Sequence, residues 1–258
     1  MRGRRRLVIL VTGIVALAAT GIAVAAGPLS GPTTAADPPS GGPVVQLEDA
    51  RIKFELNATD GDGGIQVFID AEQWKRMSIF DPRGKRIFTT TTQGRMAKQG
   101  GTELFLESAE PSFDELSLAK LLKRWPEGRY TFRGIGLEGE RYRASAVLTH
   151  DLPDGPMLVA PVEGDVPQNP DATVVTWQQV EPPNGSPIIG YEVIVEQSDT
   201  GLKTLPVVTL DVIMPATATS LAVPPGFLQP ETEYQWEVLA IERGGNQTLS
   251  SSTFTTAG

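Results

Sequence analysis

The chain has 258 residues, with 31 acidic side chains against 22 basic ones, one His and no Cys, for a formal charge of −9. That length accommodates two ordinary domains. Without Cys there can be no disulfide, thiol nucleophile or thiolate metal site, and one His excludes multi-His metal centres. The acid excess speaks against nucleic acid or an anionic membrane surface as partner.

Arg2, Arg4, Arg5 and Arg6 open the chain, and Leu7 to Ala26 follow without a charge, closing on the small residues Val24-Ala25-Ala26. This pattern predicts a secretory signal peptide over 1–26, cut near Ala25 or Ala26. The alternative is an uncleaved N-terminal membrane anchor, since the uncharged run is about as long as a bilayer-spanning helix. Either way the rest of the chain is expected outside the cytoplasm, secreted, periplasmic or at the cell surface. Removing the segment takes four Arg and no acid, so the net charge moves from −9 to −13. Residues 27–45 carry Pro28, Pro32, Pro38, Pro39 and Pro43 among Gly, Ser, Thr and Ala. They hold little to bury and read as a flexible tether.

Residues 46–153 read as a mostly-β domain. Ile52, Phe54 and Leu56 alternate, as do Ile65, Val67 and Ile69. Met77 and Ile79 lead through the turn Asp81-Pro82-Arg83-Gly84 into Ile87 and Phe88, the pattern of a hairpin. Thr102–Leu106, the Tyr130/Phe132 pair and Tyr142–Leu148 predict three further strands. One helix is expected near 113–125. Ser112-Phe-Asp-Glu115 fits a capping box, and Leu118, Leu121, Leu122 and Trp125 form one apolar stripe that should cover the core. The segment Trp125-Pro-Glu-Gly-Arg-Tyr130 echoes a turn near Tyr234. An immunoglobulin-like sandwich with one inserted short helix is the expected architecture here.

From 155 to 258 short alternating segments recur: Met157–Ala160, Val174–Trp177, Ile189–Val195, Val207–Val212, Thr219–Val223, Tyr234–Ala240 and Ser251–Thr256. Seven short strands separated by turn residues predict an antiparallel sandwich. Trp177, then Ile189-Gly-Tyr191-Glu-Val193, then Leu228-Gln-Pro230-Glu-Thr232-Glu-Tyr234-Gln-Trp236, together resemble a fibronectin type III domain. The resemblance implies Trp177 as the central core tryptophan and Tyr234 as the corner tyrosine. It also implies a spacer or adhesion role without catalytic residues. The expected fold class is therefore all-β, two consecutive β-sandwich domains.

Motifs for chemistry mostly fail. Gly134-Ile-Gly136-Leu-Glu-Gly139 matches a dinucleotide loop literally, but strand periodicity follows it where a helix is required, so a hairpin turn is expected. His150 has no serine elbow to serve and is expected at a strand end on the surface. The remaining candidate metal ligands are Asp60 and Asp62, in Asn57-Ala-Thr-Asp60-Gly-Asp62-Gly63. Closely spaced carboxylates on a Gly-rich turn suit calcium, although Asp-Gly is also an ordinary hairpin turn. In the alternative of a metal-modulated adhesion or carbohydrate-binding module, exposed aromatics such as Trp74 would meet the ligand.

The functional expectation is an exported, non-catalytic binding or spacer protein that needs no cofactor, calcium being the one candidate. Its partner would be a protein or a polysaccharide. The alternatives are a calcium-modulated carbohydrate- or protein-binding module, or a hydrolase with an acidic dyad in 46–153.

Overall fold

The computed structural model describes residues 42–197, 200–205 and 207–258; the segment 1–26 and tether residues 27–41 lie outside the described residues. The first half contains β1 (Val44–Gln46), β2 (Asp49–Asn57), β3 (Asp62–Phe80), β4 (Arg86–Thr91), β5 (Gly101–Glu107), β6 (Gly128–Gly136) and β7 (Arg141–Leu148), with helices α1 (Met96–Gln99) and α2 (Leu118–Arg124). Ordered strand thus begins two residues inside the expected tether: β1 pairs parallel to β7, and Val45 packs against the core.

The two alternating runs 65–69 and 77–79 belong to one strand, β3, of 19 residues. Its first part pairs with β2 and β5, its second with β4 and β6, with register shifts between Asp70 and Arg76. One hydrogen-bonded sheet therefore supplies both walls of this half. Ile52 and Phe54 of β2, Ile69 and Met77 of β3, and Tyr130 and Phe132 of β6 meet in a single core. The apolar stripe of α2 closes it, Leu121 being buried and Leu118, Leu122 and Trp125 packing beside it. The helix is shorter than expected and Ser117 precedes it, not Ser112. The Ser112 hydroxyl accepts from Asp114 N–H and its carbonyl from Leu116 N–H, which makes a separate turn before the helix.

The second half follows the expected strand order closely: β8 (Leu158–Ala160), β9 (Val174–Trp177), β10 (Ile188–Gln197), β11 (Val208–Pro215), β12 (Ser220–Ala222), β13 (Glu233–Glu242) and β14 (Gln247–Thr255). One sheet has the order β12-β9-β8, and the facing strands run β14-β13-β10-β11. Between them lie Val175, Trp177, Tyr191, Val193, Tyr234, Trp236 and Val238, all buried. The Tyr234 hydroxyl accepts from Gln229 N–H at 2.8 Å, which ties the turn before β13 to the strand as expected of a corner tyrosine. Tyr130 makes the analogous contact in the first half, its hydroxyl donating to Pro126 O at 3.0 Å.

The two halves do not meet as separate beads. β14 pairs parallel with β2, Gln247–Leu249 beside Glu55–Asn57, so one sheet runs from β1 to β11. No helix among the described residues is long and apolar enough to cross a membrane.

Candidate functional site

The junction of the two halves is built from polar groups. Asn246, at the tip of the β13–β14 hairpin, is 1% exposed. Its Oδ1 accepts from Phe54 N–H at 2.9 Å, and its Nδ2 donates to Thr149 O, Thr149 Oγ1 and Asp151 O at 3.2, 3.0 and 3.1 Å. One side chain thereby satisfies β2, the end of β7 and the connecting segment together. The buried Glu242 carboxylate organises the hairpin, accepting from Asn246 N–H, Gly244 N–H and the Ser186 hydroxyl. Asn184 Nδ2 also donates to Asp151 Oδ1 at 3.1 Å, which pins the connection from the other side.

Beside this junction, the sheet face turned away from the cores gathers acids. Strand alternation puts Lys53 and Glu55 of β2 on that face, because Ile52, Phe54 and Leu56 point into the core. Lys53 Nζ donates to Gln247 Oε1 at 2.6 Å, and Gln247 Nε2 donates to Glu55. Glu107 at the end of β5 is paired to Gln66 of β3, whose Nε2 donates to Glu107 Oε1 at 3.0 Å. The segment after β5 returns across Gly64, where a Cβ would meet Ser108 Oγ at 2.6 Å and Glu110 Cγ at 3.0 Å. Oxygens of Glu55, Glu107 and Glu110 all lie within 4.8 Å of one another.

Electrostatics follow from this crowding. Burial pushes the Glu55 carboxyl up, and the Lys53 ammonium pulls it partly back. Glu110 is pushed up to about 8 by burial and by the charges of Glu55, Glu107 and Asp62. Burial lowers Lys53, with Glu55 opposing. Further along the face, burial raises Glu192 and Glu237 to about 7 each. Ile194, Leu239 and Leu249 on this face are buried as well, although neither core contains them.

Of the residues singled out from sequence, only Asp62 acts on this acid cluster, through its charge on Glu110. Asp60 lies exposed in the β2–β3 turn, where it accepts from Asn57 Nδ2 at 3.0 Å, and Asn57 Oδ1 accepts from Thr59 and Asp60 N–H. Asp62 begins β3, with a buried and unpaired Oδ1 and a carboxyl raised by burial and by Asp60. Trp74, expected to be exposed toward a ligand, is 5% exposed and belongs to the first core, because the bend of β3 turns it inward. His150 is not a free surface residue either. Its Nε2 lies 2.9 Å from Trp125 O, and its ring meets Phe54 edge-on at 5.7 Å. The Gly134–Gly139 motif is the β6–β7 hairpin, as expected. Sequence reasoning missed Glu55, Glu107 and Glu110, whose only signal was a charged pair at outward positions of β2.

An apolar recess of about 140 Å³ lies among Ile65, Val67, Ile79, Phe88, Leu106 and Trp125. Its one polar wall residue, Ser108, already accepts from Ile65 N–H. It offers no convergent polar group to orient a substrate.

A model of the fibronectin type III domain matches residues 160–256. No curated protein matches the chain. Among solved structures, the fibronectin(III)-like modules of Clostridium thermocellum CbhA share 10% identity, covering 82% of this chain and 93% of theirs at a TM-score of 0.33. The FN1-FN3 domains of chicken CNTN1 share 14% identity over 84% of this chain and 68% of theirs, TM-score 0.31. A tetra-tandem repeat from the extending region of a large adhesion protein shares 14% identity, covering 81% of this chain and 49% of that one, TM-score 0.28.

Proposed function

We propose that this chain, whose residues 160–256 are a fibronectin type III domain, is an exported, non-catalytic spacer that holds its N-terminal half in one fixed orientation for binding. The observation that carries the reading is the junction. A flexible two-domain chain joins its parts through a solvated linker with few crossing contacts. Here β2 extends the sheet of the fibronectin domain, and a buried side chain, Asn246, is shared by both halves and the connection between them. Such a joint transmits orientation, which a spacer needs.

The Arg-rich and uncharged N-terminal sequence supports export.

Calorimetry tests the reading directly. The chain should unfold in one transition, with calorimetric and van't Hoff enthalpies equal. Two separated transitions, one per half, would overturn the rigid joint. Mass spectrometry of the exported protein should find the N-terminus just after Ala25 or Ala26; intact chain in the membrane fraction would instead establish the anchor.

A further inference from the structure

We propose that Asn184 is a site of spontaneous deamidation, and that its conversion releases the contact pinning the connecting segment to the fibronectin half. The released pin rests on the rigid joint described above; the reaction itself does not. An asparagine deamidates when the backbone nitrogen of the next residue attacks its side-chain amide carbon, so that nitrogen must be free to approach. The chain holds four Asn, and their surroundings single out one. Pro170 follows Asn169 and has no N–H to lose. Ala58, after Asn57, spends its N–H on Leu249 O at 2.9 Å, inside the junction. Asn246 is 1% exposed, and both ends of its amide are held. Asn184 precedes Gly185, the one Asn-Gly pair in the sequence, and both residues are exposed.

The local backbone leaves room for the reaction. Asn184 and Gly185 end the 3-10 turn Pro183–Gly185 with positive φ, 48° and 80°. Cyclisation requires Asn184 to leave its ψ of 24°, so that Gly185 N turns toward Cγ. Gly185 has no Cβ to obstruct that rotation, and apart from chain neighbours no atom lies within 4 Å of where one would stand. Gly185 N then bonds to Asn184 Cγ, and Nδ2 departs as ammonia with the proton that Gly185 N has lost. Water opens the resulting cyclic imide at either carbonyl, leaving an aspartyl or an isoaspartyl residue. The net change consumes one water and releases one ammonia, with no change of oxidation state.

The consequence follows from what the amide holds. Asn184 Nδ2 donates to Asp151 Oδ1 at 3.1 Å, and Asp151 O accepts from Asn246 Nδ2 at 3.1 Å. Two loops of the fibronectin half therefore grip the same residue of the connection. Deamidation removes one donor and sets a second carboxylate against that of Asp151, so an attraction becomes a repulsion. The isoaspartyl product also lengthens the main chain at the turn, which moves the side chain away from Asp151.

The test is peptide mapping by mass spectrometry of the purified full chain, held at mildly alkaline pH and physiological temperature. Amide-to-acid conversion should accumulate first at Asn184, with aspartyl and isoaspartyl products both present. It should quicken as pH rises, because hydroxide removes the Gly185 proton. No conversion at Asn184, or conversion at Asn57, Asn169 or Asn246 that keeps pace with it, would overturn the site. Asn184→Asp supplies the aspartyl product directly and should lower Tm by roughly 1–3 °C. Adding Asp151→Asn should restore Tm, since donor and acceptor then exchange places. An unchanged Tm in Asn184→Asp, or a fall that Asp151→Asn does not reverse, would overturn the released pin. Two separated calorimetric transitions in the fresh protein would overturn the rigid joint and the pin with it, while the mapping result alone decides the site.

Discussion

Phe54 and Asn246 lie 192 positions apart, yet the Phe54 amide donates to Asn246 Oδ1 at 2.9 Å in a buried site. The same side chain reaches Thr149 and Asp151 through its Nδ2. Asn246→Ala strands a buried N–H and removes three donor contacts at once. Chemical denaturation should show a loss of about 2–4 kcal/mol, more than one ordinary hydrogen bond contributes. A loss below about 1 kcal/mol would mean that water replaces the side chain and that the joint does not depend on it.

Connection residue Gly155 makes a second demand on the same joint. A Cβ there would come within 2.4 Å of Ala58 Cβ and 2.6 Å of Ser250 Oγ, one from each half. Gly155→Ala is therefore expected to destabilise by roughly 1–3 kcal/mol, the range for overpacking. Hydrogen exchange should locate the effect at β2 and β14, with the distal ends of both halves retaining their protection.

The two core tryptophans of the fibronectin domain should respond differently to Phe. Trp236 Nε1 donates to Pro161 O at 2.8 Å, whereas Trp177 Nε1 is buried without a partner. Both substitutions leave a void, but only Trp236→Phe also breaks a hydrogen bond. Trp236→Phe should cost about 1 kcal/mol more than Trp177→Phe in urea unfolding. Trp177→Ala, a full large-to-small change, should cost about 3–5 kcal/mol.

Stability should fall as pH rises from acid to neutral. Burial raises Glu192 and Glu237 to about 7 in the folded chain, whereas unfolded glutamates titrate near 4.3. Between those values the folded state holds more protons, so the slope of unfolding free energy against pH is negative. The stability that protonation supplies is complete below about pH 4 and lost as pH passes through about 7. Melting in EDTA should accordingly give a higher Tm at pH 5 than at pH 8. Glu192→Gln with Glu237→Gln should raise Tm at pH 8 and flatten the profile; an unchanged profile would mean that these carboxylates are hydrated in solution.

Strand positions were largely written in local alternation. Tyr191, Val193 and Val195, and Tyr234, Trp236 and Val238, lie on their core faces as period-two patterning requires. The resemblance to a fibronectin domain was carried by Trp177, Tyr191, Tyr234 and Trp236 and the residues around them, and the role of Tyr234 was what that resemblance implied. Alternation, however, says only which side chains share a face. It does not say what lies against that face, or which strand edge is paired.

Those two choices were made by tertiary structure, and they decided the candidate site. The joining of 65–69 and 77–79 into β3 turned Trp74 inward, although its flanking residues look polar. The parallel pairing of β14 with β2 set Gln247 beside Glu55, and the path of the chain after β5 brought Glu110 over Gly64. Strand-edge pairing depends on backbone N–H and C=O groups, which every non-proline residue carries alike. Composition and the second core were therefore legible in the chain itself, whereas the continuous sheet and its buried acids, built from groups far apart in sequence, exist only once it folds.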